Sequence, residues 1–154
     1  LRRVLFRSYC KIAMNSALRS SDILEMEVSN IDFKNMIIRV IEKKTKKENI
    51  IPFKRPQILE RINQEQKFVL WNPKYKTNVS LMTINRRLKA IFGSSTHISS
   101  HSIRKSVANE VYINSGKDIY SVMKFLNHSS VVITQKYLGL NQEQRNEMFN
   151  KLNY

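Results

Sequence analysis

The segment MIIRVIEKKTKKENIIPF, residues 36–53, predicts a β-hairpin in a chain that is otherwise patterned for helices. Residues 36–41 and 49–53 are rich in β-branched side chains, which pack well in strands. Residues 42–47 between them are polar and strongly basic, as expected for an exposed turn. Pro52 lacks a backbone N–H for the ladder, which places the return strand at a sheet edge. We therefore predict a small antiparallel sheet with lysines at its tip.

Helical patterns lie on both sides of this hairpin. The clearest covers residues 81–91, where Leu81, Ile84, Leu88 and Ile91 recur at the spacing of one helix face. Ser and Asp mark helix starts because their side chains accept from the first free amides, and Gly marks helix ends. The other predicted helices cover residues 4–18, 22–26, 58–62, 100–115 and 141–152, and Gly116 follows the fourth of them. Two more helices are predicted from their caps. One is capped by Asp118, and the other, which carries Tyr137, is capped by Ser129 or Ser130.

Composition and charge limit the class of protein. With 154 residues, of which 42% are hydrophobic, the chain can form one domain with a core. It has 27 Lys and Arg against 12 Asp and Glu, a formal net charge of +15. That excess is spread through patterned segments, which favours double-stranded DNA as partner over an anionic membrane surface.

The location of the protein is predicted from what the sequence lacks. No apolar run is long enough to span a bilayer, and the first residues lack the apolar stretch of a secretory signal. Cys10 is the single cysteine, which excludes an intramolecular disulfide. We therefore expect a cytoplasmic, nucleoid-associated protein with no membrane contact.

Two short segments carry groups suited to chemistry on a phosphodiester. One is His101-Ser102-Ile103-Arg104, and the other is Leu126-Asn127-His128-Ser129-Ser130, with Tyr137 nine residues beyond His128. A guanidinium binds two phosphate oxygens at once, and an imidazole relays protons near neutral pH. A phenol can attack covalently once its proton is taken. Together these groups indicate a site for phosphoryl transfer.

The same segments resemble the C-terminal signature of the tyrosine recombinases, the phage-integrase family. That signature reads His-x-x-Arg, then Leu-Gly-His-Ser-Ser, then a Tyr nine residues beyond the second His. The family's upstream motif, Thr-Gly-Leu-Arg-x-x-Glu-Leu, is similar to residues 16–24, where Arg19 matches the arginine. The family's hairpin lysine lies eight residues before a proline, a place held by Lys44 before Pro52.

The chain departs from the family pattern in both the upstream motif and the C-terminal motif. Ala17 and Asn127 stand where the family usually has Gly, and Asp22 stands where it has Glu. None of these changes removes a phosphate ligand, and Asn tolerates left-handed backbone angles better than most residues.

The resemblance implies an α+β catalytic fold, mostly helical with a small three-stranded antiparallel sheet. It also implies that residues 1–154 are a catalytic domain, with the family's N-terminal DNA-binding domain absent from this chain. The expected function is site-specific recombination or integration, in which DNA is cut and rejoined through a covalent 3′-phosphotyrosyl intermediate without metal, ATP or other cofactor.

The resemblance further implies a role for each matched residue. Arg19, Arg104 and His128 would bind the non-bridging oxygens of the scissile phosphate, and Tyr137 would attack phosphorus. The other two would move protons: Lys44 would protonate the departing 5′ oxygen, while His101 would help to accept the Tyr137 proton. Lys43, Lys46 and Lys47 lie close enough to Lys44 to leave the identity of the general acid open.

Contacts with DNA and with other copies are expected on two further regions. The DNA-contacting side chains would be the hairpin and helix cations Lys43, Lys46, Lys47, Arg86, Arg87 and Lys89. Residues 141–154 would form a C-terminal helix with two open roles. It would join four copies on DNA, since recombinases commonly pass such a helix to the next subunit, or it would fold back on its own domain.

Simpler interpretations stay open at this point. Tyr137, taken alone, is more often a packed aromatic, and hairpin lysines are usually a solvated tip. A type IB topoisomerase uses a similar set of residues, and a non-catalytic DNA-binding module could share the fold. His97 matches no motif and is expected in a loop, and Trp71 is expected to fill the core.

Overall fold

The computed structural model describes residues 2–53, 62–93, 95–140, 146–147 and 149–151. The chain forms two units, residues 1–104 and residues 105–154, which are described separately below. No helix among the described residues is long and apolar enough to cross a membrane.

Helices of the first unit surround a single apolar core. They are α1 (Arg2–Ser16), α2 (Ser20–Leu24) and α3 (Leu81–Phe92), with a short 3₁₀ turn at Val28–Asn30. α3 begins at Ser80, whose hydroxyl accepts from Thr83 N. The helix predicted around residues 58–62 falls on residues outside the described part, apart from the buried Ile62. The largest fully buried apolar side chains of this core are Tyr9, Ile12, Leu18, Ile23, Met26, Ile38, Leu70 and Ile84.

A three-stranded antiparallel sheet packs into this core, as the resemblance implies. Its strands are β1 (Ile31–Asp32), β2 (Ile37–Ile41) and β3 (Glu48–Pro52), in the spatial order β1-β2-β3. Ile38 pairs with Ile51, and both side chains are buried because they share the core face of the sheet. β3 is an edge strand, which confirms the place predicted for Pro52.

A second, two-stranded hairpin is not predicted by the sequence pattern. It consists of β4 (Trp71–Asn72) and β5 (Thr77–Asn78). The expectation that Trp71 fills the core is wrong: Trp71 is only half-buried and stacks on Phe68, with 6.1 Å between ring centroids. His97 lies exposed in a loop before the next helix, as expected.

The regular elements in the described part of the second unit are all helices. α4 (Ser100–Asn114) begins in the first unit and continues into the second, where α5 (Ile119–Phe125) and α6 (Val131–Leu138) follow. Asp118 caps α5, and hydrogen bonds from Ser121 and Tyr120 hold the pKa of its carboxyl below its ordinary value.

The cap predicted for α6 and the helix predicted at 141–152 have different outcomes. Of the two candidate serines, Ser130 caps α6 by accepting from Ile133 N at 3.3 Å. Of the predicted helix 141–152, residues 146–147 and 149–150 are helical, whereas 141–145, 148 and 152 lie outside the described residues.

Candidate catalytic site

Arg19 is placed by a sharp change of direction between α1 and α2. Ala17 ends α1 in the left-handed region, with φ 47°, and its N–H still bonds Ala13 O at 2.9 Å. Arg19 then takes an extended conformation as the N-terminal cap residue of α2. Tyr9 of α1 donates to Ser20 Oγ at 2.9 Å, which links the two helices beside Arg19. Burial raises the pKa of the Tyr9 phenol, so this donor stays protonated at neutral pH.

The Arg19 guanidinium forms an ion pair with Glu42 at the end of β2. Its Nη1 donates to Glu42 Oε2. The Arg19 side chain is 21% exposed whereas the Glu42 side chain is completely buried. The pair therefore holds the arginine from its buried side while part of the Arg19 side chain stays exposed. A guanidinium has five N–H donors, which leaves others for an anionic ligand.

Arg104 is anchored to the same connection between α1 and α2. It lies in the second turn of α4 and is only 4% exposed. Its Nη1 donates to the backbone oxygen of Ala17, two residues before Arg19. The structure thus brings both predicted phosphate-binding arginines of the first unit to residues 17–19. His101, one turn earlier on α4, is exposed.

The basic turn between β2 and β3 carries the candidate general acids. Lys44 is exposed. The neighbouring Lys43 ammonium forms an ion pair with Glu25, and its backbone N–H donates to Asp22 Oδ1 at 3.0 Å. Lys46 has a left-handed backbone with φ 57° and closes the turn through a 2.8 Å bond from its N–H to Glu42 O. The Lys43 side chain is thus paired with a carboxylate on the surface, and Lys44 is exposed beside it.

His128 and Tyr137 lie together in the second unit. Their ring centroids are 5.5 Å apart with the planes at 80°, an edge-to-face contact. Asn127 precedes His128 with φ 55°, so the predicted tolerance of Asn for a left-handed turn is confirmed at this position. Tyr137 is half-buried on α6, and its hydroxyl oxygen is enclosed.

Thr134 orients the His128 imidazole, a role that the sequence reasoning missed. Its Oγ1 donates to Ser130 O at 3.2 Å and lies 3.1 Å from His128 Nδ1. With the single hydroxyl proton on Ser130 O, the Thr134 oxygen is the acceptor for the tautomer of His128 that carries its proton on Nδ1. The other ring nitrogen, Nε2, is then the one that can meet a phosphate oxygen, and it donates only when the ring is protonated.

Glu42 is the second residue that the sequence reasoning missed. A signal existed, since it is the one acidic residue among the lysines at positions 42–47. It was passed over because a carboxylate beside a basic turn is ordinarily a solvated surface pair. Thr134 carried a signal too, as a hydroxyl one helical turn after the cap residue Ser130 and three residues before Tyr137.

The remaining predicted DNA contacts lie on the surface. Arg87 is half-buried on α3, and the other five are exposed: Lys43, Lys46, Lys47, Arg86 and Lys89. Among the described residues, no group of three or more His, Cys, Asp or Glu is arranged to hold a metal ion.

Comparison with known proteins identifies the family. The model of the phage integrase family matches residues 3–144. The chain belongs to the phage integrase family. A probable integrase/recombinase of Acholeplasma phage L2 is 28% identical over 97% of the chain and 54% of the relative. The tyrosine recombinase XerC of Oceanobacillus iheyensis is 25% identical over 88% of the chain and 49% of the relative.

Solved structures agree with this family membership at the level of fold. XerA recombinase is similar with a TM-score of 0.65 at 18% identity, over 99% of this chain and 62% of that one. A λ integrase dimer bound to a COC′ core site is similar with a TM-score of 0.68 at 18% identity, over 87% of this chain and 42% of that one. The predicted integrase catalytic fold is therefore confirmed. The chain spans about half the length of several curated integrase relatives that it matches.

Proposed function

We propose that this integrase-family chain is the catalytic domain of a site-specific DNA recombinase that cuts and rejoins DNA through a 3′-phosphotyrosyl intermediate. The observation that carries the proposal is the joint anchoring of Arg19 and Arg104 at residues 17–19. Two guanidinium groups fixed beforehand suit a phosphate whose negative charge grows in the transition state. A structural ion pair alone explains Arg19 but does not require the second arginine.

The proposed chemical step assigns the side chains the roles that the resemblance to the family implies. The Tyr137 oxygen forms a bond to phosphorus while the bond from phosphorus to the 5′ oxygen breaks. The Tyr137 proton passes to His101, and Lys44 gives a proton to the departing 5′ oxygen. Arg19, Arg104 and a protonated His128 bind the non-bridging oxygens. A second DNA 5′-hydroxyl reverses the same step, so no ATP is consumed. The guanidinium groups neutralise the phosphate charge, and neither metal nor other cofactor takes part in the proposed step.

The substrate and the working assembly are parts of the same proposal. The net charge of +15 supports double-stranded DNA as substrate, and so do solved relatives such as the λ integrase dimer bound to a COC′ core site. Exchange of strands between two duplexes calls for four copies, joined through residues 141–154. A DNA substrate would place the protein with the nucleoid in the cytoplasm.

The proposal is tested with nicked DNA duplexes that cover the sequence flanking the gene. A nick beside the cleavage point lets the short 5′-hydroxyl fragment leave, which traps a covalent protein–DNA adduct. We expect a denaturant-resistant adduct with the wild type and none with Tyr137→Phe, while DNA binding stays within about three-fold because only the attacking oxygen is lost. An adduct with Tyr137→Phe, or none with the wild type on any duplex, would refute the proposal.

A further inference from the structure

Glu42 is the most deeply buried charged residue among the described part of the chain. Its relative exposure is 0%, although it follows directly on β2 at the base of a turn whose lysines are exposed. A buried carboxylate is costly to desolvate unless several donors satisfy it. Its position therefore calls for a role beyond surface charge balance.

Three donors from three parts of the first unit meet on this carboxylate. Arg19 Nη1 and Thr45 Oγ1 both donate to Oε2, the latter at 3.1 Å. Asn49 Nδ2 of β3 donates to Oε1 at 2.9 Å. One side chain thus joins the α1–α2 connection, the basic turn and the return strand.

The backbone of Glu42 also closes the turn. Its N–H donates to Lys47 O at 2.9 Å, and its carbonyl accepts from Lys46 N at 2.8 Å. Lys44 lies between these closing contacts and next to Thr45. Displacement of the Glu42 side chain would therefore move both the Arg19 guanidinium and the turn that carries Lys44.

We infer that Glu42 is a positioning residue, whose buried carboxylate sets the Arg19 guanidinium and the Lys44-bearing turn at a fixed separation for one phosphate group. This inference rests on the proposed function, since it assigns Arg19 to the phosphate and Lys44 to the departing oxygen. Glu42 acts through these two groups and does not touch DNA. The contact with Glu42 holds the Arg19 guanidinium in place without DNA.

The first test asks, without DNA, whether Arg19 and the turn are coupled. Amide hydrogen exchange is measured for residues 42–48 in the wild type, Arg19→Ala, Glu42→Gln and Glu48→Gln. Glu48 is the matched control, an exposed carboxylate in the same hairpin. We expect faster exchange in the turn for the first two variants, by about ten-fold, because local opening limits exchange. Exchange in Arg19→Ala or Glu42→Gln equal to that of Glu48→Gln would overturn the inference.

The second test asks which chemical group Glu42 serves. The rate of adduct formation is measured on the nicked duplex with three scissile groups. The first is the natural phosphate. The second is a methylphosphonate, which lacks the negative charge that Arg19 would neutralise. The third is a 5′-bridging phosphorothiolate, whose sulfur leaves without protonation by Lys44.

We expect Glu42→Gln to slow cleavage of the natural phosphate by about ten-fold, less than the loss of a direct oxyanion donor. On each modified group, the ratio of the wild-type rate to the Glu42→Gln rate should be smaller than on the natural phosphate. The ratio should be smallest on the methylphosphonate, because Glu42 contacts Arg19 directly. An equal slowing on all three groups would show only general damage and would overturn the inference. Glu48→Gln should match the wild type throughout.

Thr45→Val provides a second variant if Glu42→Gln does not fold. It removes one donor from Glu42 on the side of the turn and leaves the pair with Arg19 in place. Its slower cleavage should be recovered with the 5′-bridging sulfur and not with the methylphosphonate. If wild-type protein forms no adduct, the proposed function fails and the role of Glu42 fails with it. If the wild type forms the adduct and Glu42→Gln and Thr45→Val both match its rate, only the role of Glu42 fails.

Discussion

The two units hold their candidate catalytic side chains over very different distances in the sequence. In the first unit, the acceptor of Arg19 lies 23 residues away and that of Arg104 lies 87 residues away. In the second unit, His128 and its partner Thr134 are separated by six residues. The first arrangement depends on tertiary packing, whereas the second is produced by one turn and the helix that follows it. Substitutions in each unit should therefore show whether the stability of the protein and its activity change together there.

Apart from loss of the nucleophile, the largest effect on activity alone is expected for Lys44→Ala, which tests the exposed turn of the first unit. Loss of a general acid slows a reaction by roughly 10²–10⁴-fold, and we expect cleavage of the natural phosphate to fall within that range. The 5′-bridging phosphorothiolate should restore the rate because its sulfur leaves without a proton. Adduct formation on both substrates is the measurement.

Lys46→Ala is the matched control, because Lys46 closes the same turn through its backbone. Recovery by sulfur in Lys46→Ala, with no defect in Lys44→Ala, would move the general acid to Lys46. Recovery in neither variant would remove the general acid from this turn.

The next effect is expected for Arg19→Ala, which leaves the Glu42 carboxylate buried without its cation. Breaking such a pair costs about 3 kcal/mol, the low end of the range for buried pairs, because the Arg19 side chain is 21% exposed. Denaturant unfolding should show this loss together with loss of adduct formation. Adding Glu42→Gln should return part of the stability and none of the activity. An Arg19→Ala variant as stable as the wild type would show that the pair does not stabilise the fold.

A smaller effect is expected in the second unit for Thr134→Val, which removes the acceptor of the His128 Nδ1–H. One hydrogen bond contributes about 1 kcal/mol, so adduct formation should slow by about five-fold. Imidazole ¹⁵N spectra should show one tautomer in the wild type and a mixture in the variant. Thr134→Ser keeps the hydroxyl and is the control; a mixture of tautomers there as well would assign the effect to packing.

The smallest effect compares the two left-handed residues that stand where the family usually has Gly. Ala17→Gly should stabilise the protein by about 0.5 kcal/mol, because the strain of a left-handed Ala slightly exceeds the entropy that Gly loses on folding. Asn127→Gly should change the stability by less, because Asn adopts φ values near 55° at low cost. Thermal unfolding of both variants checks the order. A larger gain at Asn127 would reverse this interpretation of the two turns.

Much of the fold could be predicted because its signals are local. The spacing in α3, the Asp118 cap and the strands β2 and β3 are all confirmed near their predicted bounds. The hairpin of β4 and β5 was missed because its strands have only two residues each and include Asn twice, a residue depleted in strands. Their pairing is decided by the neighbouring core, where Val79 N bonds Leu70 O at 3.1 Å.

Local preferences of the chain set the arrangement of the second unit's motif. The left-handed Asn127, the Ser130 cap and the contact between His128 and Tyr137 follow from backbone preferences and helix spacing within ten residues. The contacts that hold the first unit's arginines depend on packing between distant segments. The pair of Arg19 with Glu42 and the bond from Arg104 to Ala17 join distant segments. No local preference specifies such pairs, because they form only when packing of the core brings those segments together and removes the water that would otherwise solvate them.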